Sequence, residues 1–230
     1  MKEIWNEKCI FSPSLICLDF LHLENQIRQV EESGIKMLHV DILDGHFSPS
    51  MPLGFETVKQ LRGVTNLEFD CHLMTDGMDY YVDELLGIGV QQIVFHTETT
   101  QHVDGLINRI HTAGVRVGVA LKPSTPLSAI EYVIEKCDTV MLMLINPGYA
   151  SNAKESQVVY ADRKIRELRR MIDSRNLPTK IKIDGRISPY NIESYGGNIV
   201  DIFVCGTTCL SKKDIPGSAA KLFEIRNKII

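Results

Sequence analysis

The sequence predicts an α/β fold, a (β/α)8 TIM barrel formed by a single domain over residues 1–230. Eight apolar, strand-like runs alternate with eight helix-like segments along the 230 residues, with no remainder and no low-complexity linker. Alternating strands and helices pair in parallel through right-handed crossovers, and eight such units in this length match a barrel of this type. A doubly wound open sheet is disfavoured because the first turn, Cys17-Leu-Asp-Phe-Leu21, lacks glycine.

The strands are predicted from short apolar runs between turn residues. In chain order they are Ile10–Leu18, Met37–Leu43, Leu67–Met74, Gln92–Glu98, Arg116–Lys122, Thr139–Ile145, Lys180–Asp184 and Val200–Cys205. The helices are predicted from their end signals, such as Gly34 and Gly114 after two helices and Ser188-Pro189 at the start of another. They are Leu23–Ser33, Phe55–Leu61, Asp79–Leu86, His102–Ala113, Ser128–Cys137, Glu155–Arg175, Ser188–Tyr195 and Asp214–Ile229.

Composition narrows the range of partners. The chain is 44% hydrophobic and 23% charged, with a formal net charge of -4 and no long basic run, so neither nucleic acid nor an anionic membrane is expected to bind. No apolar run reaches transmembrane length, and the first residues lack the apolar segment of a signal peptide. The six cysteines are scattered without a CxxC pair, which is typical of reduced thiols. We therefore expect a cytoplasmic protein, and the apolar outer helices allow a homo-oligomer.

Polar residues gather at the carboxyl ends of the predicted strands, where the active sites of such barrels lie. They are Ser14, His39, Asp41, Asp44, His46, Asp70, His72, His96, Glu98, Lys122, Asn146 and Asp184. His39 and Asp41 share one face of their strand because side chains alternate along it. An imidazole and a carboxylate on one face are poor core residues and good metal ligands.

Four of these residues predict a metal site. His72 lies at the equivalent height on the next strand, and Asp184 closes the seventh strand. With His39 and Asp41 they suit a divalent ion such as Zn, Mn, Fe or Co, among which composition does not choose. The remaining histidines of interest are expected to be ordinary hydrogen-bonded residues of the core or rim; they are His22, His96, His102 and His111.

Three glycine-containing loops follow strands six, seven and eight. They are Asn146–Ser151, Asp184–Arg186 and Gly206–Thr208. Barrels often bind phosphate after strands seven and eight through backbone N–H groups, so these loops predict an anion site. Ordinary strand–helix turns, which also need glycine, are the alternative.

At these residues the chain resembles the ribulose-phosphate 3-epimerase family, (β/α)8 barrels that epimerise ketose phosphates at C3. The resemblance runs from about Phe11 to Leu210. It is carried by Ser12-Pro-Ser-Leu15, His39-Val-Asp-Ile-Leu-Asp-Gly-His-Phe47, Asp70-Cys-His-Leu-Met74, Asn146-Pro-Gly-Tyr149, Ile183-Asp-Gly185 and Cys205-Gly-Thr207. Cys17-Leu-Asp19 and the Asp70–Met74 run look slightly closer to the D-allulose-6-phosphate branch than to the D-ribulose-5-phosphate branch.

The resemblance implies the roles of several residues. His39, Asp41, His72 and Asp184 would hold one divalent metal ion (Zn, Mn, Fe, Co or Mg), and Asp41 and Asp184 would also transfer the protons. The substrate would contact Ser14, His72, Met74, Met143, Gly148, Tyr149, Ala150, Ser151, Gly185, Arg186, Gly206 and Thr207. Two carboxyl groups on opposite sides of the sugar can remove the C3 proton and return one to the other face through an enediolate.

The chain departs from the family pattern at three positions. Ser151 replaces a glycine of the phosphate loop, Arg186 replaces glycine or serine after Asp184-Gly185, and Leu43 replaces a methionine. A guanidinium at position 186 could hold phosphate or crowd it. The departures leave the predicted metal ligands intact but leave the phosphate contacts and the sugar length open.

The leading functional prediction is a metal-dependent ketose-phosphate 3-epimerase, an isomerase, acting on D-allulose 6-phosphate and D-fructose 6-phosphate. The alternative substrate pair is D-ribulose 5-phosphate and D-xylulose 5-phosphate. A related decarboxylase is disfavoured because Asp41-Ile-Leu-Asp44 lacks the lysine of its Asp-x-Lys-x-x-Asp motif. A non-catalytic sugar-phosphate-binding barrel is the alternative from another class, although a binder would not need both aspartates.

Overall fold

The structure, a computed structural model, describes residues 2–148 and 152–230. Its strands are β1 Ile10–Pro13, β2 Met37–Leu43, β3 Glu68–Met74, β4 Gln92–His96, β5 Arg116–Leu121, β6 Thr139–Met143, β7 Lys180–Asp184 and β8 Ile202–Cys205. Its helices are α1 Lys2–Trp5, α2 Leu23–Glu32, α3 Phe55–Arg62, α4 Met78–Ile88, α5 Val103–Thr112, α6 Ala161–Ser174, α7 Pro189–Tyr195 and α8 Ile215–Ile229.

All eight strands form one parallel sheet in the order β1-β8-β7-β6-β5-β4-β3-β2. A parallel bridge between Ser14 and His39 brings the two outermost strands together, so the sheet closes into the predicted (β/α)8 barrel. The register sets Asp41 beside His72 on the neighbouring strand. Closure therefore gathers the carboxyl ends of all the strands at one rim.

Three apolar clusters and one polar layer stabilise the barrel, and the cluster formed by strand residues alone is Val94, Ala120, Met141 and Met143 on β4, β5 and β6. The largest core lies between the strands and the outer helices. At the amino-terminal mouth, Ile4 of α1 packs on Ile10, Met37 and Ile202. Polar side chains form a layer across the barrel interior above this plug; they are Ser12, His39, Asp70, Gln92, Thr139 and Lys182, and all are fully buried. Because buried polar groups require partners, this layer is a connected network.

The predicted helix Ser128–Cys137 is wrong. The chain forms two short 3-10 turns there, Leu127–Ile130 and Ile134–Lys136, with i to i+3 hydrogen bonds such as that from the Val133 N–H to the Ile130 carbonyl. Ile130, Val133 and Ile134 are β-branched and lose side-chain freedom in an α-helix. The connection between β5 and β6 is therefore wound more tightly than predicted.

Most predicted boundaries are within two residues of the observed ones, but two move further. The first strand ends at Pro13, not Leu18, because the chain turns at Leu15–Cys17 and again at Phe20–His22, where the Asp19 carboxylate accepts the Leu21 N–H. The long helix begins at Ala161, not Glu155. The Glu155 carboxylate accepts two hydrogen bonds from Asn146, at 2.9 Å from the backbone nitrogen and 2.8 Å from the side-chain amide, which holds the preceding segment against the barrel rim.

Within residues 2–148 and 152–230, no helix combines the length and the apolar character needed to cross a membrane.

Candidate metal centre and substrate pocket

The four predicted metal ligands lie together at the carboxyl-terminal end of the barrel. His39 and Asp41 come from β2, His72 from β3 and Asp184 from the last position of β7. One ligand atom from each lies within 4.8 Å of the others. His72 Nδ1 is 3.1 Å from Asp41 Oδ1 and 3.9 Å from Asp184 Oδ2, and His39 Nε2 is 3.2 Å from Asp41 Oδ1. Two imidazoles and two carboxylates thus converge on one point.

The surroundings of His39 fit a bound cation. Its Nδ1 lies 2.8 Å from Asp70 Oδ2, while its buried Nε2, although 3.2 Å from Asp41 Oδ1, makes no well-aligned hydrogen bond among the described residues. Burial alone would lower the pKa of His39, but the carboxylates of Asp41 and Asp70 outweigh burial and raise this pKa to about 10. The site therefore favours positive charge beside its carboxylates, and a divalent ion would supply that charge.

The two candidate acid–base carboxyl groups have opposite pKa shifts. Burial opposes ionisation of Asp41, but His39 and His72 together hold its pKa well below the usual range. Burial raises the pKa of Asp184 to about 6. His39 opposes this increase, and the negative charge of Asp41 adds to it. One carboxyl group is thus ionised at neutral pH while the other is poised to carry a proton, which is the division that two-carboxylate proton transfer needs.

Each of the two candidate ligand imidazoles, His39 and His72, also contacts a residue outside the set of four. Asp70 receives a hydrogen bond from Lys182 and lies beside His39. His72 Nε2 is 3.0 Å from His96 Nε2, and His96 Nδ1 is 3.2 Å from Glu98 Oε2. Burial lowers the pKa of His72 and lowers that of His96 to about 4, so both rings are neutral at pH 7.

A cavity of about 150 Å³ opens above the two aspartates. The predicted site residues that line it are Ser14, Asp41, Met74, Met143, Gly148, Asp184, Gly185, Arg186, Gly206 and Thr207. The lining also includes residues outside the predicted set of metal ligands and substrate contacts: Ile16, Cys17, Leu43, Ser50, Ile145, Asn146, Val204 and Thr208. His39 and His72 are fully buried beneath this floor, and the predicted contacts Tyr149, Ala150 and Ser151 lie outside the described residues.

Ser14 and the glycine loops shape the wall of the cavity. The Ser14 hydroxyl donates a hydrogen bond of 3.0 Å to Asp41 Oδ2. Gly148 has a φ of 79° and Gly185 a φ of 110°, which L-residues rarely adopt. A Cβ at Gly148 would lie 1.7 Å from Ser48 Oγ, and one at Gly185 would lie 2.9 Å from the Ile145 backbone nitrogen. Both loops therefore require glycine for close packing as well as for backbone conformation.

Arg186 follows Gly185 in the loop after β7 and lines the cavity. Its backbone is left-handed, with a φ of 53°, and its Nη2 donates a hydrogen bond of 2.7 Å to the Asn152 carbonyl. Gln157 Nε2 donates to the Gly185 carbonyl at 2.9 Å and to the Arg186 carbonyl at 3.1 Å. These contacts fix the loop after β7 so that its cationic side chain borders the cavity.

Sequence reasoning missed the second layer of the site. Asp70, His96 and Glu98 were recognised only as polar residues at the rim, and Lys182 was not singled out. Alternation along β7 places Lys182 on the same face as Asp184, inside the barrel, where a lysine must have an anionic partner. That alternation was the available signal for Lys182.

Comparison with known proteins agrees with the motifs. The sequence profile of the Ribulose-phosphate 3 epimerase family matches residues 10–210. The ribulose-phosphate 3-epimerase of Mycobacterium tuberculosis H37Rv is 32% identical over 213 residues, covering 93% of this chain and 91% of the relative. The ribulose-phosphate 3-epimerase of Escherichia coli K12 is 31% identical over 207 residues, covering 89% of this chain and 90% of the relative.

Solved structures show the same fold. The 3-hexulose-6-phosphate synthase from Salmonella typhimurium superposes with a TM-score of 0.71 at 16% identity, covering 97% of this chain and 100% of the other. The 3-keto-L-gulonate-6-phosphate decarboxylase from Vibrio cholerae has a TM-score of 0.72 at 12% identity, with coverage of 97% and 100%. At this identity the likeness concerns the barrel alone.

Proposed function

The chain belongs to the ribulose-phosphate 3 epimerase family, and on that premise we propose that it inverts C3 of a phosphorylated ketose by metal-dependent proton transfer between Asp41 and Asp184. One observation carries the proposal. Two carboxyl groups with opposite pKa shifts meet two histidines at the floor of a cavity at the carboxyl end of the barrel. A protein that only binds sugar phosphate has no need of this pair.

The carboxyl groups would exchange roles in the two directions of the reaction. Asp41, ionised, removes the C3 proton of one epimer, and Asp184, protonated, returns a proton to the other face. In the reverse direction Asp184 is the base and Asp41 the acid. Ser14 would orient Asp41 through its hydrogen bond, and the cavity floor would exclude bulk water from the reacting carbon.

His39, Asp41, His72 and Asp184 would hold the divalent ion. Such an ion supplies positive charge beside the oxygen atoms of the sugar and so stabilises the negative charge of the enediolate. Nitrogen and carboxylate ligands suit Zn, Mn, Fe and Co, and Mg is a further candidate.

The loops after β6, β7 and β8 would bind the phosphate group. Gly148, Gly185 and Gly206 bring backbone to the cavity wall, with Thr207 beside them and Arg186 as the cation. Met74 and Met143 line the same cavity and would pack against the planar intermediate. Tyr149, Ala150 and Ser151, in the loop after β6, stay predicted substrate contacts. That the protein forms a homo-oligomer also stays a prediction.

Two observations bear on the sugar. The names of the relatives, one of which is a ribulose-5-phosphate-3-epimerase, favour D-ribulose 5-phosphate as the first substrate to test. The Cys17-Leu-Asp19 and Asp70-Cys-His-Leu-Met74 motifs favour D-allulose 6-phosphate, and Cys17 lines the cavity. A shared active site could accept both sugars at different rates, so the two are compared directly.

Proton NMR in D2O tests the proposal. The C3 signal of each sugar phosphate is followed with protein loaded with Zn or Mn, and with a sample treated with EDTA as control. We expect metal-dependent loss of the C3 proton signal together with appearance of the epimer. The sugar phosphate that is epimerised faster is the preferred substrate of the two. A folded, metal-loaded protein that exchanges no C3 proton in either sugar would contradict the proposed reaction.

A further inference from the structure

His72 and His96 lie closer than two unprotonated imidazole nitrogens can. Their Nε2 atoms are 3.0 Å apart, and their ring centroids are 5.0 Å apart. Both side chains are fully buried. At this distance the two nitrogens share one proton, so one ring donates and the other accepts. The direction of this hydrogen bond decides which nitrogen of His72 is free for a metal ion.

The contacts of Glu98 determine the direction of the hydrogen bond between His72 and His96. Its Oε1 accepts the Lys122 N–H at 2.8 Å and the Thr125 hydroxyl, and its Oε2 lies 3.2 Å from His96 Nδ1. With two donors already directed at it, Glu98 is an ionised acceptor. His96 therefore carries its proton on Nδ1, and its Nε2 is the acceptor for the proton on His72 Nε2.

From this chain of contacts we infer that Glu98 and His96 are positioning residues that hold His72 in the Nε2–H tautomer, leaving its Nδ1 lone pair directed at the metal centre. That nitrogen is the one that faces Asp41, at 3.1 Å. A second-layer partner of this kind orients a ligating imidazole and increases its basicity. The inference rests on the proposed metal centre and adds two residues that do not contact the substrate cavity.

Paired variants separate the hydrogen bond from simple packing. In His96→Gln the amide oxygen can occupy the place of Nε2 and still accept from His72. In His96→Asn the amide lies nearer the place of Nδ1, so it can contact Glu98 but does not reach His72. Zinc affinity is measured by competition with a chromogenic chelator. We expect His96→Asn to weaken zinc binding by about 10- to 100-fold and His96→Gln to retain most of the affinity.

Glu98→Gln tests the direction without changing the shape. Its amide oxygen would keep the Lys122 and Thr125 donors, which places the NH2 group against His96 Nδ1. His96 would then become a donor at Nε2 and oppose the Nε2–H of His72. We expect weaker zinc binding by a similar factor, and we expect this loss to disappear when Glu98→Gln is combined with His96→Gln, because the coupling runs through the imidazole.

The hydrogen bond itself is visible in the zinc-loaded wild-type protein labelled with 15N-histidine. We expect a coupling between the two Nε2 nuclei, with the directly bonded proton on His72. A proton bonded to His96 Nε2 overturns the inference, as does equal zinc affinity in wild type, His96→Asn and Glu98→Gln. Wild-type protein that binds no zinc removes the proposed metal centre and the inference together, whereas zinc binding that is indifferent to His96 removes the inference alone.

Discussion

Lys182 donates a hydrogen bond to Asp70 in the interior of the barrel, and neither side chain is exposed to solvent. The Lys182 ammonium also donates to Gln92 Oε1 at 3.1 Å. The second oxygen of Asp70 lies 2.8 Å from His39 Nδ1. Burial opposes the charge of Asp70, but Lys182 and His39 hold its pKa below the usual range. The ion pair thus links the polar layer of the barrel to a candidate metal ligand.

Removing the lysine leaves a buried carboxylate with one cationic partner fewer. We expect Lys182→Met to lower the free energy of unfolding by about 3–5 kcal/mol, measured by urea denaturation. Lys180→Met is the matched control, because Lys180 lies on the same strand but pairs with the partly exposed Asp201 at 3.6 Å, a pair expected to contribute about 0–1 kcal/mol. Equal losses in the two variants would contradict a special role for the buried pair.

The convergence of the four candidate ligands was predictable from the sequence, whereas their supporting layer was not. Alternation within β2 places His39 and Asp41 on one face, and barrel topology brings the carboxyl ends of β3 and β7 beside them. No local pattern reports that Lys182 of β7 meets Asp70 of β3, because that contact crosses the barrel interior between residues 112 positions apart. Helix propensity also failed over residues 128–137, where the connection to β6 consists of 3-10 turns.

Asp184 is predicted to carry the proton on one face of the sugar. We expect Asp184→Asn to fold normally and to lose turnover by at least about 100-fold, because an amide cannot exchange a proton with the substrate. Proton NMR in D2O separates proton exchange at C3 from inversion of C3, because Asp41 can still exchange the C3 proton of one epimer without inverting it. Asp79→Asn, at an exposed helix position, serves as control. Appreciable epimerisation by Asp184→Asn would exclude the two-carboxylate mechanism.

Arg186 is predicted to bind the phosphate group. Glycine adopts the left-handed backbone of this position without strain, so Arg186→Gly removes the guanidinium and its hydrogen bond to the Asn152 carbonyl without straining the backbone. We expect KM for the phosphorylated ketose to rise about 10-fold or more, with a smaller effect on kcat, since a hydrogen bond to a charged group contributes about 1.5–3 kcal/mol. Competitive inhibition by inorganic phosphate should weaken in parallel. If KM and phosphate inhibition are both unchanged, the side chain is directed away from phosphate.

Gly148 is predicted to be required by close packing. A Cβ there would lie 2.6 Å from Ser48 Cβ and closer still to its hydroxyl, and the φ of 79° is unfavourable for alanine. We expect Gly148→Ala to cost about 1–3 kcal/mol in the free energy of unfolding and to raise KM, because the loops after β2 and β6 must separate. Gly87→Ala is the control, since a Cβ at Gly87 has no atom within 4 Å and the position is helical. Comparable losses at both glycines would refute the packing argument.

Lys164 couples helix α6 to the loop after β5 in a pH-dependent way. Its ammonium donates to the Lys122 carbonyl at 2.8 Å and to the Pro123 carbonyl at 3.0 Å, and burial lowers its pKa from 10.5 to about 8. Between these two pKa values the unfolded chain holds a proton that the folded protein has lost, so the free energy of unfolding rises with pH. Below about pH 8 both states are protonated and the effect of Lys164 is constant.

Lys164→Met lacks the titrating group and therefore isolates its contribution. We expect the difference in free energy of unfolding between wild type and variant to shift in favour of wild type from about pH 8 to about pH 10, measured by urea denaturation at several pH values. Cysteines and other lysines titrate in both proteins, so their contributions cancel in the difference. A difference that stays constant across this range would contradict the prediction, because it would mean that burial does not lower the pKa of Lys164 beyond the opposing effect of Glu98.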